Sequence, residues 1–252
     1  MMLLAVDIGN TNITLGVFEN ENILETFRLA SDKELPQEEY EILLHSLFKK
    51  YDITACIIAS VVDELNKRFK TAADNVFHLN SILISPKLNL GIKIKLKQPK
   101  EAGADRIANA CGAYMLYSKP TIIVDLGTAT TFDIIDKNGD FVGGVIMPGL
   151  SLQFRALNKS TSKLPRIEAT TVEKAIGDNT VDAILSGVMR GSACAIEGLI
   201  AQCEKELGGK ALIVATGGYS SLISKYMNRQ FDFVNPYLTL EGLRFLYELN
   251  KE

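Results

Sequence analysis

The stretch VDIGNTN, residues 6–12, decides the fold of this chain. An apolar run leads into Asp7 and Gly9, and small polar residues follow. The same order returns as VDLGTAT, residues 124–130, after the apolar residues TIIV. A glycine turn directly after a strand leaves backbone N–H groups available for phosphate oxygens. The repeated turn therefore predicts two phosphate-binding loops in one chain.

A single turn of this kind is typical of an ordinary Asx turn after a strand. Two turns at matched positions of a duplicated chain favour phosphate binding. Asn10, Thr11 and Asn12 add side-chain donors, whereas the Asp7 carboxylate needs a cation such as Mg²⁺ between itself and a phosphate. We assign Asp125 a related role from the opposite side. The turns match neither a P-loop nor G-x-G-x-x-G, so neither of those folds is implied.

The duplication extends beyond the two turns. Asp7 and Asp125 lie 118 positions apart, and the same offset relates the hairpin turns predicted near Asn20 and Asn138. Alternating strand and helix patterns predict an α/β fold with repeated β-β-β-α-β-α units. We expect an N-terminal domain at residues 1–118 and a C-terminal domain at residues 119–252, with a last helix free to pack on the first domain.

An insertion distinguishes the second half from the first. After residue 149 the second half adds a helix and a polar loop before the long helical stretch 180–207. The strand that ends in ATGG is expected to match IIASVV, which aligns Thr216 with Ser60. The helical stretch 101–117 is expected to bury Ile107, Ala110, Cys111, Tyr114 and Met115 on one face.

The amino-acid composition excludes several classes of function. Hydrophobic residues make up 47% of the 252 residues, and the net charge of −3 argues against non-specific attraction to nucleic acid or to anionic lipid. Four scattered cysteines are typical of small core residues, and two histidines exclude a histidine-rich metal site. We find no basic leader and no apolar stretch of about 18 residues, the length of a membrane span. A soluble, cytoplasmic protein is expected.

Gly103, Ala104, Asp105 and Arg106 open the helical stretch that precedes the second turn. An anionic side chain is favoured at a helix N-terminus. From the residues alone, Asp105 is interpreted as an N-cap, a position that Asp occupies routinely.

Seven motifs together carry a family resemblance: DIGNTN, GADRIANA, DLGTATTFD, GGVIMPG, KLP (residues 163–165), GDNT (residues 177–180) and ATGG. In this order they resemble the type III pantothenate kinases, a family of the actin-like ATPase superfamily. The match covers residues 2–242, and GADR with DLGTATT is its most specific part. It implies duplicated ribonuclease H-like domains, each a mixed five-stranded sheet flanked by helices. It also implies ATP-dependent phosphorylation of pantothenate, the first step towards coenzyme A.

The resemblance also implies roles for individual residues. Mg²⁺ is expected with the nucleotide at Asp7, and K⁺ or NH₄⁺ at Asp125. Asp105 is the implied general base, a role that it can combine with capping, and Arg106 is expected to pair with the pantothenate carboxylate or a phosphate. The implied ATP-binding residues are Asp7, Ile8, Gly9, Asn10, Thr11, Asn12, Ile13, Thr14, Thr128, Gly217 and Gly218. The implied pantothenate-binding residues are Gly103, Ala104, Asp105, Arg106, Thr180 and Leu96.

Leu96 departs from the family pattern, which has a tyrosine in contact with pantothenate at that position. One lost hydrogen bond is worth about 0.5–1.5 kcal/mol, so a kinase for another small hydroxylated metabolite remains an alternative. A nucleotide-sensing accessory factor of transcription is a second, and a catalytically inactive homologue is a third. The resemblance also implies a homodimer with the substrate pocket at its interface, formed by helices around residues 103–117 and 181–206. Thr180 is expected to contact pantothenate, and the resemblance allows this contact to come from the partner across that interface.

Overall fold

The structure, a computed structural model, describes residues 1–159, 165 and 167–251. These residues form two compact units. Unit 1 consists of Met1–Leu116 with Tyr237–Glu252, and unit 2 consists of Tyr117–Pro236. The domain boundary expected after residue 118 lies two residues beyond the observed boundary between Leu116 and Tyr117. The last helix is part of unit 1.

The described residues contain ten strands and seven α-helices. The strands are β1 Met2–Ile8, β2 Asn12–Glu19, β3 Asn22–Ala30, β4 Ala55–Ser60, β5 Ile82–Leu83, β6 Thr121–Leu126, β7 Ala129–Ile135, β8 Phe141–Pro148, β9 Leu212–Thr216 and β10 Phe233–Val234. The helices are α1 Gln37–Phe48, α2 Asp63–Phe77, α3 Ala104–Tyr117, α4 Leu150–Lys159, α5 Thr180–Leu207, α6 Ser220–Ser224 and α7 Leu238–Asn250. A short 3₁₀ turn, Pro99–Glu101, precedes α3.

The sheet of unit 1 has the order β3-β2-β1-β4-β5. β1 pairs antiparallel with β2 and parallel with β4, so the sheet is mixed. Successive side chains of a strand point to opposite faces of its sheet. Both faces of β1 are buried, because helices cover the sheet on each side. Leu4, Val6 and Ile8 pack in a core with α1 and α2, whereas Leu3 and Ala5 pack in a second core with α3 and α7. This accounts for the continuous apolar run before Asp7.

The sheet of unit 2 repeats this plan. Its order is β10-β9-β6-β7-β8, with β6 antiparallel to β7 and parallel to β9. The core on one face contains alternate residues of β6 together with apolar residues of α4, α5 and α6. The two mixed five-stranded sheets flanked by helices confirm the fold class that the sequence resemblance implies.

Strand register shows how closely the halves correspond. A β-bulge interrupts β2–β3 pairing between Val17 and Phe18, and another interrupts β7–β8 pairing between Ile134 and Ile135. The offset between these bulges is 117 rather than 118. The turn in unit 2 is one residue shorter, because Leu126 pairs with Thr130 whereas Ile8 pairs with Ile13. A turn of different length shifts every later position by one.

The same registers correct one alignment. Asp125 pairs with Thr216 across β6 and β9, and Asp7 pairs with Ala59 across β1 and β4. Thr216 therefore corresponds to Ala59, not to Ser60 as the sequence alone suggested. The error is one residue, since strand ends cannot be located from apolar content alone.

Helix α7 crosses α3 in unit 1 at very close range. A Cβ placed on Gly242 would lie 1.9 Å from the carbonyl oxygen of Ala108, and one on Gly112 would lie 2.9 Å from that of Leu238. Thr239 Oγ1 also donates a hydrogen bond of 2.7 Å to Asn109 Oδ1. α3 buries Ile107 and Cys111 as predicted, but Met115 is 42% exposed, contrary to the predicted stripe.

Helix α5 is the long helix of unit 2. Over its 28 residues it is long and apolar enough to cross a membrane by composition, with a mean hydropathy of 1.4 in its most apolar window. The sequence of α5 contains no uninterrupted apolar run of that length, because glycines, serines and Arg190 lie within it. Val188, Met189, Ala193, Ile196 and Ile200 on this helix pack in the unit 2 core. α5 is therefore a core helix of a globular unit.

Candidate active site

The first predicted phosphate loop is a tight turn at the carboxyl end of β1. Gly9 N donates a hydrogen bond of 3.0 Å to the carbonyl oxygen of Asn12, which closes the turn from β1 into β2. Asn10 and Thr11 are exposed at its tip, and Asp7 is half-buried one residue before the strand ends. Ile13 is buried in β2, and Thr14 lies opposite Asp7 in the strand register. The turn places the polar residues Asn10 and Thr11 at its exposed tip, where a phosphate loop carries its donors.

Ser31 stabilises this turn and was missed by the sequence analysis. Its Oγ donates a 2.5 Å hydrogen bond to the carbonyl oxygen of Gly9, and its backbone N–H donates to that of Thr11. Ser31 directly follows β3, whose Ala30 pairs with Asn12. The hairpin pattern could have identified it, because the end of β3 must lie opposite the start of β2.

The GADR motif lies near the same edge of the unit 1 sheet. Val61 follows β4, and its N–H donates a hydrogen bond to the carbonyl oxygen of Ile8 at the end of β1. A Cβ placed on Gly103 would lie 3.4 Å from Val61 Cγ1 and 2.5 Å from Asp105 Oδ1. Gly103 thus brings the Asp105 carboxylate towards the strand end that carries Asp7.

Asp105 lies inside the first turn of α3. The helix begins at Ala104, and the carbonyl oxygen of Gly103 accepts the hydrogen bond from Ile107 N. Gly103 therefore holds the N-cap position, and the interpretation of Asp105 as the N-cap was wrong by two residues. Asp105 Oδ1 instead accepts a hydrogen bond of 2.8 Å from the N–H of Arg106.

Burial governs the protonation of Asp105. Removal from water raises the pKa of the Asp105 carboxyl above its ordinary value, and the N–H and positive charge of Arg106 oppose this only in part. A carboxylate with a raised pKa binds a proton more readily near neutral pH, as a general base must. Its site is therefore chemically suited to accept a proton.

Leu96 and Arg106 flank this carboxylate in sequence. Leu96 is half-buried in an extended segment, where Ile92 and Ile94 pack against the α3–α7 core. Leu96 has no hydroxyl, so this position offers apolar contact only. Arg106 and Ala104 are half-buried in the first turn of α3.

The second predicted loop joins β6 to β7 in unit 2. Gly127 N donates a 3.1 Å hydrogen bond to the carbonyl oxygen of Ala129, and Thr128 is exposed at the tip. A Cβ placed on Gly149 would lie 2.3 Å from the carbonyl oxygen of Thr128. The glycine at the end of the GGVIMPG motif is thus required by the close approach of this turn.

The ATGG motif packs against Asp125. Gly217 has a φ of +86°, and a Cβ on it would lie 2.6 Å from Asp125 Oδ1. Gly127 also lies beside this carboxylate, with its Cβ position 3.4 Å from the same oxygen. Gly218 is exposed in the next turn. The structure therefore brings together Asp125, Thr128 and Gly217, which the sequence analysis had selected separately.

Thr180 is positioned by a different element. It is the exposed first residue of α5, and Asn179 is the N-cap, whose Oδ1 accepts a 3.0 Å hydrogen bond from Asp182 N. The KLP motif falls largely outside the described residues, of which only Pro165 belongs to it.

The carboxylates of Asp7 and Asp125 suit cations that prefer oxygen ligands and take few of them from the protein. Within the described residues, no three His, Cys, Asp or Glu side chains form a metal-binding group. Asp125 offers a carboxylate packed beside Gly127 and Gly217, and Asp7 offers a second carboxylate by the first turn. Mg²⁺ commonly takes one or two carboxylates and completes its shell with phosphate oxygens and water.

Two mixed sheets of matching topology, each with an acidic residue before a glycine turn, define an actin-like ATPase fold. A structure of MreB 5 of Spiroplasma citri bound to AMPPNP is similar, with a TM-score of 0.55 at 12% identity, covering 98% of this chain and 96% of that one. The type III pantothenate kinase family model matches residues 3–202. The chain belongs to the type III pantothenate kinase family.

Individual relatives agree with this assignment. A type III pantothenate kinase of Dehalococcoides mccartyi strain CBDB1 is 44% identical over 254 residues, covering 99% of this chain and 96% of the relative. A Campylobacter jejuni protein that bears the name of a Baf family transcriptional activator is similar in structure. Its TM-score is 0.62 at 21% identity, with 97% of each chain covered. At that identity the likeness shows the fold alone.

Proposed function

We propose that this protein transfers the terminal phosphoryl group of ATP to the primary hydroxyl of pantothenate, giving 4′-phosphopantothenate and ADP. The observation that carries this proposal is the half-buried Asp105 carboxylate, near the strand end that bears Asp7 and the first glycine turn. The family membership supplies the substrate.

The proposed chemistry needs positioning and charge neutralisation more than covalent help. The turns at residues 7–14 and 125–130, with Gly217 and Gly218, bind the polyphosphate and the adenosine side of ATP. The pantothenate oxygen forms a bond to the terminal phosphorus, and the bond from that phosphorus to the ADP oxygen breaks. Asp105 accepts the proton that the hydroxyl loses.

The remaining residues act in binding. Arg106 pairs with the pantothenate carboxylate or a phosphate, because its guanidinium binds either anion in a bidentate manner. Gly103, Ala104, Leu96 and Thr180 line the pantothenate side. Asp7 would hold Mg²⁺ together with the nucleotide, and Asp125 would hold K⁺ or NH₄⁺. These cations would supply positive charge next to the phosphates.

A second copy of the chain is the partner that α5 fits best. The exposed residues in its central turns are small: Gly187, Gly191, Cys194 and Gly198. Among the residues that the structure describes, none places an atom of another element within 4 Å of the Cβ positions of its three glycines. Met115 and Leu116 on α3 are also exposed, at 42% and 40%. Two helices with small residues can approach closely, so we propose a homodimer that includes these helices and the Thr180 end of α5.

A cytoplasmic location accords with the side-chain chemistry. All four cysteines are free thiols, with Cys56 and Cys111 buried. Free thiols are typical of a reducing compartment.

The decisive assay is ATP-dependent formation of 4′-phosphopantothenate, detected by mass spectrometry, in K⁺, NH₄⁺ or Na⁺ buffers. We expect product with K⁺ or NH₄⁺ and Mg²⁺, and little with Na⁺. A panel of other small hydroxylated metabolites tests the alternative that Leu96 raises. Stronger turnover of another alcohol would overturn the substrate assignment, and ATP binding without transfer to any alcohol would favour an accessory role.

A further inference from the structure

The segment before Thr180, residues 172–179, is fixed almost without apolar burial. Val172 is 9% exposed, and the residues that follow it are mostly exposed. Ile176 is 86% exposed although it is a large apolar side chain. A stretch with so little apolar burial depends on polar contacts for a defined conformation.

Tyr226 and Arg190 make the first of these contacts. Val172 N donates a 2.6 Å hydrogen bond to the hydroxyl of Tyr226, which lies just after α6. Arg190 Nη2 donates to the carbonyl oxygens of Val172 and Glu173, at 3.3 and 2.6 Å. The Arg190 guanidinium carbon lies 5.1 Å from the centroid of the Tyr226 ring. The two side chains hold the start of the segment together.

Helix α5 holds the remainder of the segment. Ser186 Oγ donates a 2.6 Å hydrogen bond to the carbonyl oxygen of Ala175. Gly177 packs directly on Ala183, since a Cβ there would lie 2.2 Å from Ala183 N. The segment then ends at Asn179, the N-cap that precedes Thr180.

The hydrogen bonds of Arg190 hold the segment at residues 172–173 rather than anchoring α5 itself. Val188, Met189 and Ala193, its neighbours on α5, already anchor the helix in the unit 2 core. The hydrogen bonds of Arg190 instead reach outward to the carbonyl groups of an exposed segment. Their loss should free the segment and leave the helix in place.

We propose that Arg190 and Tyr226 are positioning residues that hold residues 172–179, and through them the Thr180 end, in the conformation that binds pantothenate. This inference rests on the proposed function. Neither side chain needs to touch substrate. They act by reducing the conformational freedom that the segment would otherwise lose on binding.

The first test measures the segment itself, without any substrate. Lys174 is exposed, so the protease Lys-C can cut after it once the segment leaves its anchors. Arg190→Ala removes two hydrogen bonds, and Tyr226→Phe removes the hydroxyl but keeps the ring. We expect cleavage after Lys174, followed by mass spectrometry, to be about tenfold faster in both, which corresponds to about 1.4 kcal/mol. Arg155→Ala on α4 is the control, because the exposed Arg155 donates a hydrogen bond to the carbonyl oxygen of Ser151 within its own helix.

The second test measures the effect on catalysis. We expect KM for pantothenate to rise at least fivefold in Arg190→Ala and Tyr226→Phe. KM for ATP and the Tm should stay near those of the wild type. Arg190→Lys should recover only part of the effect, because an ammonium lacks the planar fork of a guanidinium. A positioning role requires this split, whereas a purely structural role would lower the Tm and activity towards both substrates together.

Three results would overturn the inference: unchanged cleavage after Lys174, faster cleavage with unchanged pantothenate KM, or a parallel loss of Tm and of both substrate affinities. If the wild-type protein does not phosphorylate pantothenate at all, the proposed function fails, and with it the link from the segment to substrate. The digestion still decides whether Arg190 and Tyr226 hold the segment.

Discussion

Asp105 combines two opposing demands at the scale of one residue. Burial raises the pKa of its carboxyl, while the Arg106 N–H stabilises the ionised form. The first effect makes the group a better proton acceptor, and it costs folding free energy whenever the group is ionised. Catalysis and stability should therefore respond in opposite directions to its replacement.

Asp105→Asn should fold and bind ATP but turn over slowly. The amide side chain keeps an oxygen for the Arg106 N–H and cannot accept a proton, so we expect kcat to fall about 10²- to 10⁴-fold. In the wild type, kcat/KM should decline at acidic pH with a pKa above the ordinary carboxyl value, and the variant should lose this acid limb. A pH profile measures both effects, and near-full activity would remove Asp105 from the role of base.

The same substitution should increase thermal stability at neutral pH. The folded-state pKa of Asp105 is raised, so its contribution to stability is greatest below the unfolded-state pKa and is lost as pH rises through the folded-state pKa. The asparagine variant avoids that loss. We expect a higher Tm than wild type at pH 7.5 and a smaller difference near pH 4, measured by calorimetry. A lower Tm at pH 7.5 would contradict the stated cost of burial.

At the scale of elements, the crossing of α3 and α7 determines where α3 lies. Gly112 and Gly242 let the two helix backbones approach more closely than any side chain allows. Because α3 begins with the GADR motif, this crossing fixes the direction from which Asp105 reaches the strand ends. The C-terminal helix thus supports the helix that carries the proposed base.

Gly242→Ala tests this crossing. Its methyl group would overlap the Ala108 carbonyl, so the helices must separate, at a cost of about 1–3 kcal/mol. We expect a lower midpoint of urea unfolding together with reduced kcat. Gly209→Ala is the matched control, since no atom lies within 4 Å of that Cβ position. Equal stability of the two variants would show that the crossing tolerates a side chain.

The elements themselves could largely be predicted from the sequence. Helices α1, α2, α3, α5 and α7 have apolar residues at helical spacing, and β1, β4, β6 and β9 are short apolar runs, so local chemistry specifies them. The shorter turn of unit 2 and the paired bulges depend on register, which is a property of two strands. Met115 was misplaced for a related reason, because which face of α3 is covered depends on α7.

The candidate site was predictable in its parts and not in its assembly. Each aspartate could be selected from its turn, but the approach of Gly103 to Val61 joins segments about 40 residues apart. Ser31 and Arg190 carry no motif, and only their contacts with the Gly9 turn and residues 172–173 give them a role. Contacts between distant segments decided what the residue pattern could not.

At the scale of the whole molecule, the proposed dimer can be separated from the fold of each protomer. Gly191 is exposed on α5, and within the described part of the chain nothing outside that helix approaches its Cβ position to 4 Å. Gly191→Gln should therefore leave the Tm of the protomer nearly unchanged while it blocks close helix packing. Sedimentation should give a dimer for the wild type and a monomer for the variant. A dimeric variant would place the interface elsewhere.

Because unit 1 is built from two chain segments, its fold can be completed only late in synthesis. Leu240, Leu243 and Leu246 of α7 complete a core that otherwise comes from residues 1–116. A growing chain on the ribosome cannot finish this core until those leucines emerge, whereas Tyr117–Pro236 is continuous and can fold earlier. We therefore expect unit 2 to complete its fold first, against the usual N-terminal-first order. We expect unit 1, and with it the surroundings of Asp105, to be completed only after α7 has left the ribosome.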